Sequence, residues 1–115
     1  WALPEEGYEL LLDKDKNILA AYTSIRFCLF DDGSYIGLAG YSGYGDDWGQ
    51  VLRDKNGEIL KVGYRFIDRD GNEVSKCFND VKEFWNVNSP SDIITAVDEN
   101  GSTIEIKASD YICKP

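Results

Sequence analysis

The stretch Ile93-Ile94-Thr95-Ala96-Val97-Asp98-Glu99-Asn100-Gly101-Ser102-Thr103-Ile104-Glu105-Ile106-Lys107 decides the fold. Two runs rich in β-branched residues flank an Asn-Gly dipeptide. Asn tolerates positive φ and Gly needs no Cβ clearance. The dipeptide therefore suits a two-residue type I′ hairpin turn, which needs positive φ at both positions. In the second run Ile104, Ile106 and Ala108 point one way, and Thr103, Glu105 and Lys107 the other. Such alternation marks a half-buried strand.

The signal recurs upstream. Asp32-Gly33, Asn56-Gly57 and Asp70-Gly71 each lie between apolar or β-branched runs. Strands are expected at residues 18–30 and 34–41 around the first turn, and at 49–53 and 58–61 around the second. The third turn is flanked by 63–67 and 72–78. Residues 8–12 add a further strand, turned by Asp13-Lys14-Asp15-Lys16-Asn17. Ile25-Arg26-Phe27-Cys28-Leu29-Phe30 is nearly all apolar and reads as a central strand covered on both faces. One segment reads as a helix. In Asn79-Asp80-Val81-Lys82-Glu83-Phe84-Trp85, Asp80 and Glu83 have capping-box spacing, and Val81, Phe84 and Trp85 share a helical face. Asp15-Lys16-Asn17 precedes Arg26-Phe27 by the interval at which Asp54-Lys55-Asn56 precedes Arg65-Phe66. Turn residues recurring wherever turns occur account for this without a duplication.

The 115 residues fit one domain spanning positions 1–115, and 43% apolar with 13% aromatic content supplies a core. Aromatic side chains suit a pleated, half-buried surface. The expected fold is mainly β: antiparallel hairpins forming a small barrel or sandwich with one short helix, with an α+β layer as the alternative.

Formal charge is −9, from 21 acidic against 12 basic residues. Such a surface repels nucleic-acid phosphates and anionic lipid and attracts basic proteins. No run of about 18 apolar residues is present to span a membrane. The chain starts at Trp1 and contains no Met, so excision from a longer protein or processing is an expectation. Location stays open, with the cytoplasm favoured over secretion. Three widely spaced cysteines, Cys28, Cys77 and Cys113, do not form a disulfide framework. Cys28 reads as a small core hydrophobe. A Cys77–Cys113 bridge is the one pairing considered, for a secreted chain.

Histidine is absent, which removes the commonest general base, the usual metal ligand and every Ser-His or Cys-His nucleophile arrangement. The pairs Asp31-Asp32, Asp46-Asp47 and Asp98-Glu99 are sequence neighbours, whereas glycosidase carboxylates face each other across a cleft. Asp68-Arg69-Asp70-Gly71-Asn72 and Asp13-Lys14-Asp15-Lys16-Asn17 begin like an EF-hand loop. They fail it at the sixth position, Glu73 and Ile18, and at the twelfth, Asn79 and Ser24. The glycine-rich run from Gly37 to Gly45 has no following Lys and leads into two aspartates, so it is no phosphate loop. No catalytic residue, metal site or cofactor is expected.

That same run is the most unusual in the chain. Tyr35, Tyr41, Tyr44 and Trp48 alternate with glycines around Asp46-Asp47. Tyr and Trp offer large contact area with few rotatable bonds, and acids beside them suit a basic, partly apolar partner. The competing reading is core filling beneath a tight β-bend. Tyr41, Tyr44, Asp46, Asp47 and Trp48 are the candidate partner-binding residues. The expected function is non-enzymatic: an acidic inhibitor or immunity-type protein neutralising a basic enzyme such as a nuclease. The alternative is a glycan- or peptide-binding accessory β-module of a longer protein.

Overall fold

The computed structural model describes residues 9–41, 58–82, 84 and 87–114. Eight strands lie in these residues: β1 (Glu9–Leu12), β2 (Ile18–Tyr22), β3 (Ser24–Leu29), β4 (Tyr35–Tyr41), β5 (Gly63–Ile67), β6 (Asp80–Lys82), β7 (Ile93–Val97) and β8 (Thr103–Lys107). They form three antiparallel sheets, ordered β1-β2, β3-β4-β5 and β6-β7-β8. The fold is mainly β and sandwich-like, built of separate sheets instead of a closed barrel.

Sheet β3-β4-β5 is the middle layer. Its register sets Ile25, Ala39 and Arg65 side by side, and Arg26, Leu38 and Phe66 on the opposite face. One face packs against the β1-β2 hairpin through Ala20, Tyr22, Ala39, Tyr41, Leu60 and Ile67. The other meets β6-β7-β8 in the larger core, where Ile36, Leu38, Phe66 and Phe78 join Val81, Ile94 and Ala96. The central strand is therefore β4, buried at every position, and not residues 25–30 as expected. β3 is the edge of its sheet among the described residues, and Phe27 and Leu29 are exposed. The cause is steric. A Cβ on Gly37 would stand 2.5 Å from the Phe27 ring, and one on Gly40 2.4 Å from the Tyr64 ring. Neighbouring aromatics lie directly on the β4 backbone, which larger residues would exclude.

Four hairpin-type turns share one geometry, and it is not type I′. In each, the first residue's N–H donates to the fifth residue's carbonyl and its carbonyl accepts from the fourth. The pairs are Asp13/Asn17, Phe30/Ser34, Asp68/Asn72 and Asp98/Ser102. The fourth residue alone takes positive φ: Lys16 (65°), Gly33 (87°), Gly71 (83°) and Gly101 (82°). This is a type I turn followed by a left-handed residue, the three-residue hairpin loop. In three of the four a leading aspartate selects it; in the fourth, led by Phe30, Asp32 Oδ1 accepts from the Ser34 N–H at 2.9 Å. Asp68 Oδ1 accepts from the Asp70 and Asn72 N–H groups at 2.9 and 2.8 Å, and Asp13 and Asp98 repeat the pattern. Those carboxylates are engaged by their own turns, which gives the truncated EF-hand pattern a structural explanation.

The backbone N–H of Asn17 holds the Asp13 carboxyl below its usual range, and the Ser34 hydroxyl does the same for Asp32. A carboxyl lowered in the folded state contributes stability that is complete above its unfolded value. That contribution is lost as pH falls through the folded value. Unfolding midpoints should therefore drop on acidification below about pH 4. Asp13→Asn and Asp32→Asn are expected to flatten the acid limb measured by urea titration; an unchanged limb would count against these turns.

Three further expectations need correction. Residues 18–30 are not one strand, because the chain breaks at Thr23 and passes from the β1-β2 hairpin into the central sheet. Residues 72–78 meet β5 through isolated bridges, Ile67 with Glu73 and Tyr64 with Phe78. Between these, the Phe66 N–H turns to the Ser75 hydroxyl at 2.8 Å. The described start of the stretch expected to be helical, Asp80–Lys82, is a strand. Asp80, Val81 and Lys82 pair with Val97, Ala96 and Thr95 instead. Two helical turns cannot offset their nucleation cost, while the edge of β7 offers ready partners. The helical structure described is a 3₁₀ turn at Ala108–Asp110. The expectation over 49–53 and Asn56-Gly57 lies outside the described residues.

Candidate functional site

The β-sheet register and two tertiary contacts bring three acidic turns to one end of the domain. β3 enters the 30–34 turn where β5 leaves for the 68–72 turn, because Ile67 pairs with Gly37 at the start of β4. The Arg69 N–H donates to Tyr35 Oη at 2.8 Å, and the Arg69 guanidinium lies 4.8 Å from that ring. The 68–72 turn also rests on β2. A Cβ on Gly71 would stand 3.0 Å from the Leu19 carbonyl oxygen, next to the 13–17 turn. The end carries Asp13, Asp15, Asp31, Asp32, Asp68 and Asp70, accompanied by the cations Lys14, Lys16 and Arg69. Each turn alone reads as ordinary hairpin chemistry; their convergence is a tertiary result.

A second feature lies nearer the Gly63 end of β5. Arg65 is 1% exposed and sits among apolar residues between Ala39 and the Tyr22 ring, 5.3 Å from its Cζ. Nη2 donates to the Lys61 carbonyl and to Cys77 Sγ, the latter at 3.2 Å. Nε stands 3.8 Å from Glu73 Oε1, an ion-pair distance too long for a hydrogen bond. Among the described residues Nε and Nη1 are thus buried donors with no hydrogen-bond acceptor. Arg65 also lines a cavity of about 390 Å³, with Ile59, Leu60 and Val62 as its apolar part. The signal for Arg65 was in the sequence: Gly63, Arg65 and Ile67 alternate onto one face, and Ile67 is core.

The thiols differ in surroundings, and all three cysteines are free. Burial pushes the Cys28 thiol up, aided by the Asp92 carboxylate, and Cys28 Sγ donates to the Val87 carbonyl. Burial also pushes Cys113 up, with the Tyr35 hydrogen bond opposing it. Both stay protonated at neutral pH.

Of the candidate partner-binding residues, Tyr41 is described. It is 3% exposed and packed in the smaller core, so its ring fills the space beneath the β1-β2 hairpin. Tyr44, Asp46, Asp47 and Trp48 lie outside the described residues. Among the described residues no group of three or more Cys, Asp or Glu side chains is placed to hold a metal ion. Nor is any helix there long and apolar enough to cross a membrane.

These features define a small antiparallel β domain with an acidic end and a buried, under-satisfied arginine. No family model matches the chain, and neither the curated proteins nor the solved structures contain a match to it.

Proposed function

We propose that this chain is a non-enzymatic protein-binding domain, an acidic inhibitor or immunity-type protein that docks on a basic enzyme. The observation that supports the reading is the convergence of three acidic turns at one end, with six carboxylates from separate hairpins. Six acids against the three cations Lys14, Lys16 and Arg69 leave this end net negative, and a net charge accelerates encounter with the opposite sign and sets orientation. The turns are held by their own side-chain hydrogen bonds, so little ordering entropy is lost on docking. Asp46 and Asp47 add to the negative charge of the chain.

The test uses the purified protein immobilised against its host's lysate, followed by kinetics with whatever basic protein is retained. Association should slow as salt rises from about 50 to 500 mM. The double variant Asp15→Asn, Asp31→Asn keeps every leading turn aspartate. It should slow association by about tenfold while leaving the unfolding midpoint nearly unchanged. Salt-independent binding, or an unaltered rate in the double variant, would sink the proposal.

A further inference from the structure

We propose that the Arg65 cavity is a binding site for a monocarboxylate with a short aliphatic body. A guanidinium buried with two of its three nitrogens lacking acceptors is costly, because desolvation removes their water and nothing replaces it there. Among the described residues the fold leaves Nε and Nη1 unpaired and fully covered, while Arg65 lines an opening of about 390 Å³, a size typical of small-molecule sites. Nη2 is occupied by the Lys61 carbonyl and Cys77 Sγ, which fixes the plane of the group. Swinging aside the exposed Glu73 side chain, 3.8 Å from Nε, lets the unpaired edge of the guanidinium donate to an incoming oxygen anion.

The lining narrows the ligand class. Arg65, Lys61 and Lys76 supply three cations, while Glu58, Glu73 and Glu99 supply three carboxylates. A dianion such as phosphate meets that acidic rim, whereas a single negative charge can approach the guanidinium. Ile59 and Val62 are exposed large hydrophobics at the opening, and Leu60 is buried behind them. They suit a hydrocarbon body whose burial adds to the charge contact. Glu73 is the internal competitor. It is 45% exposed, lies 3.8 Å from Nε, and moves out of the way at little cost. The site is separate from the acidic end, so the two proposals stand or fall independently.

Titration of the intact protein with hexanoate, followed by ¹⁵N NMR, tests the site. Saturable shifts are expected at the Arg65 Nε–Hε signal and the Cys77 amide. Hexan-1-ol, with the same body and no charge, should bind at least about tenfold more weakly, since a hydrogen bond to a charged group is lost. Inorganic phosphate should leave both signals in place. Glu73→Gln removes the competing charge from an exposed position and should tighten hexanoate several-fold. Arg65→Lys should weaken it by about tenfold or more, and the Glu73→Gln and hexanol arms decide the matter if that variant does not fold. No shift at Arg65, equal binding of hexanol, binding of phosphate at the same signals, or unchanged affinity in Glu73→Gln would each overturn the proposal.

Discussion

Replacing Phe66 by Ala is expected to cost about 4 kcal/mol of folding free energy, the largest single-residue loss outside the glycines. Phe66 is fully buried in β5. Its ring stacks on Tyr111 at 4.7 Å, meets Phe78 edge-on at 6.1 Å and leans on Phe84 at 6.3 Å. Three segments distant in sequence therefore share one side chain. Truncation removes the transfer energy of the ring and leaves a cavity that Tyr111 and Phe78 fill only in part. Small domains are stable by about 5–15 kcal/mol, so the variant stands near the edge of folding. The urea midpoint should fall sharply with the slope unchanged, and Phe66→Leu should recover most of the loss. A loss below about 1 kcal/mol would show that this cluster does not hold the two larger sheets together.

Gly63→Ala is expected to cost about 3 kcal/mol or more, by strain and collision instead of by a void. Gly63 has φ of +132°, and a Cβ there would stand 2.4 Å from the Phe78 carbonyl oxygen and 2.9 Å from Cys77 Sγ. Neither neighbour is a flexible tip. The Phe78 carbonyl accepts the Tyr64 N–H at 2.8 Å, and the Phe78 N–H donates back to Tyr64 at 2.6 Å. Relief of the clash must open that bridge and move the Cys77 thiol that holds the Arg65 guanidinium. Stability and the Arg65 Nε–Hε signal should therefore change together. Gly101→Ala is the matched control. Its φ is +82° with nothing within 4 Å of the added carbon, so it should carry the left-handed penalty of about 1 kcal/mol alone. Equal losses in the two variants would remove the collision argument.

The turns were the most legible feature because their determinants are local. Asp98 and Gly101 act on a five-residue loop, and the strands on either side, Ile93–Val97 and Thr103–Lys107, lie where alternation put them. The turn type was misjudged for a local reason too. An Asx-bonded aspartate at the first position favours the type I turn, and the dipeptide by itself does not reveal it. Elements whose state depends on neighbours were less legible. Val81 and Phe84 are buried as a helical face would require, yet Asp80–Lys82 is a strand because the edge of β7 is there to pair with. The hydrophobic run at 25–30 looked central, while the small residues of β4 mark the true centre by admitting rings from both sides.

The candidate site divides the same way. The acidity of Asp13, Asp32, Asp68 and Asp98 was readable as turn chemistry, and the hydrogen bonds of those turns bear this out. Sequence by itself thus determined a mainly antiparallel β chain, its hairpin positions and the absence of histidine chemistry. These depend on residue types and on contacts a few positions apart. The tertiary structure decided which strand is central and which acidic turns share one end. It also decided that Arg65, a surface residue by type, is sealed beside a cavity. Strand order and the shared end follow from packing between segments remote in the chain, where no local pattern carries the information; for Arg65 the local alternation gave its face, and the same remote packing decided its burial.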